Sequence, residues 1–213
     1  MKFGRVDERT EGVRSSVARD DLAATLRFDG GSPLFNLLAT KGARGRGSVE
    51  RLVDDEKTLV FLNRAFGVVE DVPIRELSSL RLQLIHLREA VEAIFSYQIF
   101  KIESEKWSAF SAVELINRLK EDTDFNRRLV VNSQESIVIE QISSPIDARI
   151  SEVITEVFDI LSDSTRRSRV KVCANESCKA PFMDRSPTNN RVWCSMAICG
   201  NRAKAKRYYH STK

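Results

Sequence analysis

The sequence predicts an α+β protein: a mostly helical N-terminal domain carrying one β-hairpin, followed by a small module stapled at its cysteines. Three observations carry that prediction. Apolar residues recur at alternating steps of three and four through the middle of the chain, which is the period of a buried helix face. Two β-branched runs, RRLVV and SIVIEQ, then break that period. All four cysteines of the 213-residue chain fall at position 173 or later, as two pairs of equal spacing.

The elements follow in chain order. Residues 1–21 are polar and charged with few large apolar groups, and read as a disordered tail. LRFDGGSPLFNLLAT comes next. Its Gly30-Gly31-Ser32-Pro33 marks a turn, and PLFNLLAT fits either a strand or a helix. KGARGRG reads as a flexible basic loop, and no Gly-Lys-Ser/Thr follows to make it a phosphate loop. Asp54 or Asp55 caps a short helix that carries Leu59, Leu62 and Phe66 and stops at Gly67.

Pro73 starts a long helix running to about Lys101. Leu77, Leu80, Leu84, Leu87, Val91 and Ile94 line one of its faces. Packing inside the domain accounts for the stripe, and a homodimer seam is the rival, because a coiled coil uses the same alternation. A further helix over residues 108–121 turns Phe110, Val113, Ile116 and Leu119 inward. Trp107, Phe95 and Phe100 are also expected in the core. RRLVV and SIVIEQ, joined by the turn-like NSQE, form the hairpin. Pro145 opens the next helix, with Ile150, Val153, Ile154, Val157 and Leu161 inward. It ends near Asp163, where the basic STRRSR marks a domain boundary. The expected units are therefore 1–21, 22–163 and 164–213.

Several function classes are disfavoured. No apolar run approaches the ~20 residues of a membrane helix, so no membrane partner is expected. The charged start of the chain does not resemble a signal peptide, and a cytoplasmic protein is expected. His86 lies among helix leucines and His210 near the C-terminus, neither with a spaced partner. Glu89 and Glu92 pair naturally with nearby Arg88 or with solvent, so no carboxylate dyad is expected. No catalytic residue is assigned and no enzyme is expected.

The cysteines are spaced Cys173-x4-Cys178-x15-Cys194-x4-Cys199. In a reducing compartment such a set points to metal rather than to disulfides. Four thiolates suit a structural zinc ion, held tetrahedrally at ~2.3 Å with no open position for catalysis. A segment of this size buries too little apolar surface to fold alone, and zinc supplies ~10–16 kcal/mol. Redox pairs use C-x-x-C, and iron–sulfur clusters use other spacings.

Charge follows the same division. From Ser164 to Lys213 there are twelve Arg and Lys against Glu176 and Asp184, a net +10, while the other residues carry −6. Such a split marks a polyanion-binding segment on an acidic body. GNRAKAKRYYH after Cys199 reads as a helix, with Ala203 toward the zinc core and Arg202, Lys204, Lys206 and Arg207 over a wide arc. Tyr208 and Tyr209 either pack on the module or stack on a base or sugar.

CANESC, PFMDRS and RVWCSMAICGNRAKAKRYY resemble the CGNR zinc finger of bacterial proteins, named for residues that stand here as Cys199, Gly200, Asn201 and Arg202. LRFDGGSPLFNLLATKGARGRGSVERL is similar in layout to the start of the ABATE domain that precedes this finger in that family of stress-induced transcription regulators. Asn36 stands near the position where that family has an acid. The resemblance implies a treble-clef-like, DNA-binding finger behind a regulatory domain that senses a small-molecule or protein effector. Arg202, Lys204, Lys206 and Arg207 are the expected phosphate contacts, with Asn201 and Arg191 toward bases. The alternatives are a zinc-stapled module that docks on an acidic protein surface, and an RNA binder.

Overall fold

The structure is a computed structural model of the chain. It describes residues 26–67, 72–122, 127–131, 133–134, 136–141 and 145–211, so the expected N-terminal tail lies outside the described residues.

The ambiguous PLFNLLAT segment is a helix, α1 (Pro33–Leu38), with Ser32 Oγ as its cap. Pro33 presets the first turn. Leu34, Phe35, Leu37 and Leu38 are all buried, which a solvent-edge strand would not allow. Asn36 is buried with them, and its Oδ1 accepts a hydrogen bond from Gly30 N at 3.0 Å, closing the preceding turn. Asp54 caps α2 (Asp55–Phe61) through Lys57 N at 2.7 Å. A wide turn, Leu62–Phe66, extends it to Gly67, whose φ of 65° ends it.

The long helix α3 (Ile74–Gln98) is the spine of the body. Leu77, Leu84, Leu87, Val91 and Ile94 are buried, and Leu80 packs against the same core. The stripe is thus filled within the chain and is not a free dimer seam. Helix α4 (Lys106–Asp122) packs along α3 by only part of the expected face. Ala109, Ala112, Ile116 and Leu119 are buried, whereas Phe110 and Val113 are 48% and 46% exposed, and Trp107 is 75% exposed. The small alanines let the two helices approach closely, which bulky rings at those positions would prevent. The rings pack outside instead, edge to face, with centroids 5.9 Å apart for Trp107–Phe110 and 5.7 Å for Tyr97–Phe110.

Strands β3 (Arg127–Val131) and β4 (Ile137–Gln141) form the expected antiparallel hairpin, with Val131 opposite Ile137. Helix α5 (Pro145–Ser162) seals the core with Ile150, Val153, Ile154, Val157 and Ile160 fully buried. The STRRSR segment is itself helical, α6 (Ser164–Arg169), capped by Asp163, and the next strand begins without a linker. Val170, at its start, is buried in the body's core.

KGARGRG is not a loose loop. Strands β1 (Lys41–Gly42) and β2 (Val49–Glu50) pair across a tight turn at Arg44–Arg46. Ala43 opens that turn with a left-handed φ of 48°. Ion pairs tie the hairpin to α3. Arg88, 1% exposed, bonds Glu50 at 2.5 Å, Thr40 Oγ1 at 2.8 Å and Glu89 at 2.7 Å. Lys41 bonds Glu89 at 2.6 Å, and Arg44 pairs with Glu92. Glu89 therefore does pair with Arg88, whereas Glu92 pairs with Lys41 and Arg44 instead, and both hold the hairpin. Among the described residues, no helix is long and apolar enough to cross a membrane.

Candidate metal centre

The C-terminal segment has its own small cluster of Cys173, Ala180, Phe182, Cys194 and Cys199, with Cys178, Trp193 and Ile198 packed on it. Strands β5 (Val170–Val172) and β6 (Pro181–Met183) pair antiparallel, and Cys173 and Cys178 sit in the loop between them. That loop is a tight knuckle. Cys178 N and Lys179 N both donate to Asn175 O, at 2.9 and 3.1 Å, and Lys179 takes a left-handed φ of 51°. Asn175 Oδ1 accepts from Ser177 N and Oγ. Cys194 precedes a wide turn, Met196–Gly200, that delivers Cys199 to the first turn of α7 (Asn201–Ser211). Cys199 N and Gly200 N both donate to Ser195 O. A hairpin thus supplies one cysteine pair and a helix start the other, the layout expected of a treble clef.

The four Sγ atoms lie within 4.8 Å of one another. Cys178–Cys194 and Cys194–Cys199 are each 3.6 Å apart, close to the ~3.8 Å edge of a tetrahedron with ~2.3 Å zinc–sulfur bonds. The cysteines are free, and three of the four are buried. As thiols they hold their protons unevenly. Hydrogen bonds from Cys173 and Cys178, with burial, push Cys194 up; burial and the charges of Cys194 and Cys178 push Cys199 to about 12. Cys178, bonded by Cys173 and Cys194, is pushed down. Such a group exchanges protons for a cation.

Asp184, 0% exposed, braces the finger from inside. Its carboxylate accepts from Lys171 Nζ at 2.7 Å, Ser186 N and Oγ at 2.9 and 2.6 Å, and Arg191 N at 2.7 Å. Burial would raise its pKa, but the Lys171, Ser186 and Arg191 hydrogen bonds outweigh it and hold the group well below the usual carboxylate range. PFMDRS, the run around it, carries no signal for this role beyond its acid in a basic segment.

The body also reaches the centre. Arg27 Nη1 donates to Cys194 Sγ at 3.4 Å, while its other nitrogens fork onto Asp29 at 2.8–3.1 Å. Burial opposes the charge on Arg27, but Asp29 and Cys194 raise its pKa overall. Arg51 lies near Cys178 and is pushed below its ordinary value, first by burial, then by Arg27, with Arg44 and Arg202 adding to the effect. At the closest approach, a Cβ on Gly45 would lie 1.7 Å from Glu176 O. Arg185 Nη1 donates to Gly31 O at 2.6 Å. No local pattern marks Arg27 or Arg51, because the cysteines they meet lie more than 120 residues downstream.

On α7, Arg202, Lys204, Lys206 and Arg207 are exposed and Ala203 is half-buried, as expected of a helix seated by one small residue. Lys206 lies 3.2 Å from Glu176. Asn201 is exposed, and its Nδ2 donates to Ala197 O at 3.0 Å. Arg191 is held within the finger rather than presented to a partner. Its Nε donates to Trp193 O at 2.8 Å, Nη2 donates to Cys194 O, and its guanidinium covers the Phe182 ring at 5.3 Å. Tyr208 and Tyr209 are 67% and 70% exposed and stack edge to face on each other.

Residues 169–211 match the CGNR zinc finger family. The match spans all four cysteines and the basic helix. With the sulfur geometry it identifies the ion as a structural zinc. No curated protein matches the chain.

Proposed function

We propose that the chain is a zinc-dependent, DNA-binding transcription regulator, in which an ABATE-type body senses a ligand or partner and the C-terminal finger grips DNA. One observation carries this reading: α7 leaves the zinc centre with Arg202, Lys204, Lys206 and Arg207 all exposed. Zinc fixes where the helix starts and so where those charges stand; it takes no part in contact. Arg191 is left to hold the loop, and base contact falls to Asn201 and the exposed tyrosines.

Support also comes from the charge division, +10 on the last fifty residues against an acidic remainder. Phosphate neutralisation by Z cations gives log K a slope of about −0.9Z against log salt. Titration of the zinc-loaded chain with duplex DNA over a salt range therefore tests the reading. A slope of about −3 to −4 supports it, and a slope near zero refutes it. Binding that survives high salt would favour docking on a protein surface instead.

A further inference from the structure

Between the β1–β2 hairpin and the finger lies a second feature, walled on the finger side by the zinc ligands Cys178 and Cys199. It is a pocket of about 330 Å³ lined by five cations: Arg27, Lys41, Arg46, Arg51 and Arg202. No carboxylate lines it. Two of the cations have acidic partners, Arg27 on Asp29 and Lys41 on Glu89. Among the described residues, Arg46, Arg51 and Arg202 have no carboxylate within ion-pair distance. A tetrathiolate zinc is formally −2, and that charge is met by Arg27 on Cys194 and by Arg51 beside Cys178. Arg46 and Arg202 remain uncompensated, and Arg27, Arg44 and Arg202 all repel Arg51.

One of the pocket's guanidinium groups is also held in place. Arg51 Nη1 is anchored to Ala39 O at 2.8 Å. Its guanidinium lies over Gly42, where a Cβ would meet Nη2, Cζ and Nε at 2.7–3.0 Å. The absent side chain thus leaves the space the planar fork occupies. The hairpin itself is held to α3 by the Arg88–Glu50 and Lys41–Glu89 pairs. Positioned guanidinium forks suit tetrahedral oxyanions, and phosphate above all, since it accepts parallel hydrogen bonds from them.

We propose that this pocket binds the phosphate group of an anionic ligand, clamped between Arg46 and Arg51 of the body and Arg202 of the finger. Two sources offer that chemistry: a small phosphorylated molecule and a backbone phosphate of DNA. A ligand seated there would touch both the body and the first turn of α7. That is where an effector would alter the finger, a consequence that rests on the proposed function, whereas the binding itself does not.

The test uses the zinc-loaded full chain, without DNA, titrated with inorganic phosphate by calorimetry, against chloride at matched ionic strength. Three variants are compared with the native chain: Arg46→Gln, which is exposed and whose side chain has no described hydrogen bond; Gly42→Ala, which displaces the Arg51 fork without removing charge; and Arg75→Gln, exposed on α3, as a control outside the pocket and the basic helix. Affinity lower by about tenfold or more in the first two and unchanged in the third supports the site and assigns it to a free ligand. The same variants are then titrated with duplex DNA. No phosphate binding, together with a salt slope reduced by about 0.9 in Arg46→Gln, assigns the same phosphate site to DNA. If Arg46→Gln and Gly42→Ala match the native chain in both titrations, the proposal is overturned. Zinc content measured before and after each titration separates lost binding from a lost fold.

Discussion

Replacing Gly45 by Ala tests how closely the body and the finger fit. The new Cβ would stand 1.7 Å from Glu176 O and 2.8 Å from Glu176 C. A carbon–oxygen contact relaxes at ~3.3 Å, so the hairpin or the knuckle must retreat by about 1.6 Å. Both atoms of Glu176 belong to backbone, and no rotamer change relieves them. The hairpin is tethered to α3 by Arg88 and Lys41, so the knuckle is the side that yields. Overpacking of this kind costs about 1–3 kcal/mol. For a chain of this length that is a fall in Tm of roughly 2–4 °C per kcal/mol. The retreat also shifts Cys178, in the knuckle, against Cys194, 3.6 Å away, so a chelator should strip zinc faster. The assay pairs thermal melting with the rate of metal transfer to a coloured chelator. Val49→Ala, half-exposed in the adjacent strand, serves as control and should stay within about 0.5 kcal/mol. If Gly45→Ala matches the native chain in both readouts, the close contact between hairpin and knuckle is refuted.

Other substitutions probe the remaining parts. Chelation, or Cys173→Ser, should unfold residues 170–211 and abolish duplex binding while the helical signal of the body largely persists; circular dichroism and DNA titration read the two. Arg88→Met leaves Glu50 without its buried partner and should cost roughly 3 kcal/mol, the low end for such a pair because Glu50 is partly exposed, as read by denaturant melting. Asp184→Asn should lower Tm and flatten its acid dependence. A carboxyl depressed in the folded state stabilises above its unfolded pKa of ~3.9 and loses that contribution as pH falls toward the folded value, so the native and variant curves should converge in acid. Lys204→Gln should weaken DNA binding across sequences alike and reduce the salt slope by about 0.9.

The elements legible in advance were those written in local pattern. The α3 stripe, the β3–β4 hairpin and the α5 face repeat at the period of their own element, and Asp54 and Gly67 are single residues of the type that starts or stops a helix. The zinc ligands were legible because the cysteines carry the spacing themselves. What failed did so for want of distant partners. KGARGRG reads as loose until Glu89, Glu92 and Arg88 are known to lie beneath it. On α4 bulk marks burial at Ile116 and Leu119 but not at Phe110 or Val113. Contact with α3 instead selects alanine, and Phe110 and Trp107 fall outside. Arg191 has the charge of a polyanion contact, and only the positions of Trp193 O and Phe182 reveal its inward role.

Val170 lies in the core of the helical body, and three positions later Cys173 begins the metal centre. The chain has no slack there, since α6 hands over directly to β5. Rotation of one unit about the other would have to drag a buried valine through packed side chains. The molecule is therefore geared rather than hinged: a shift in the bundle turns the basic helix with it.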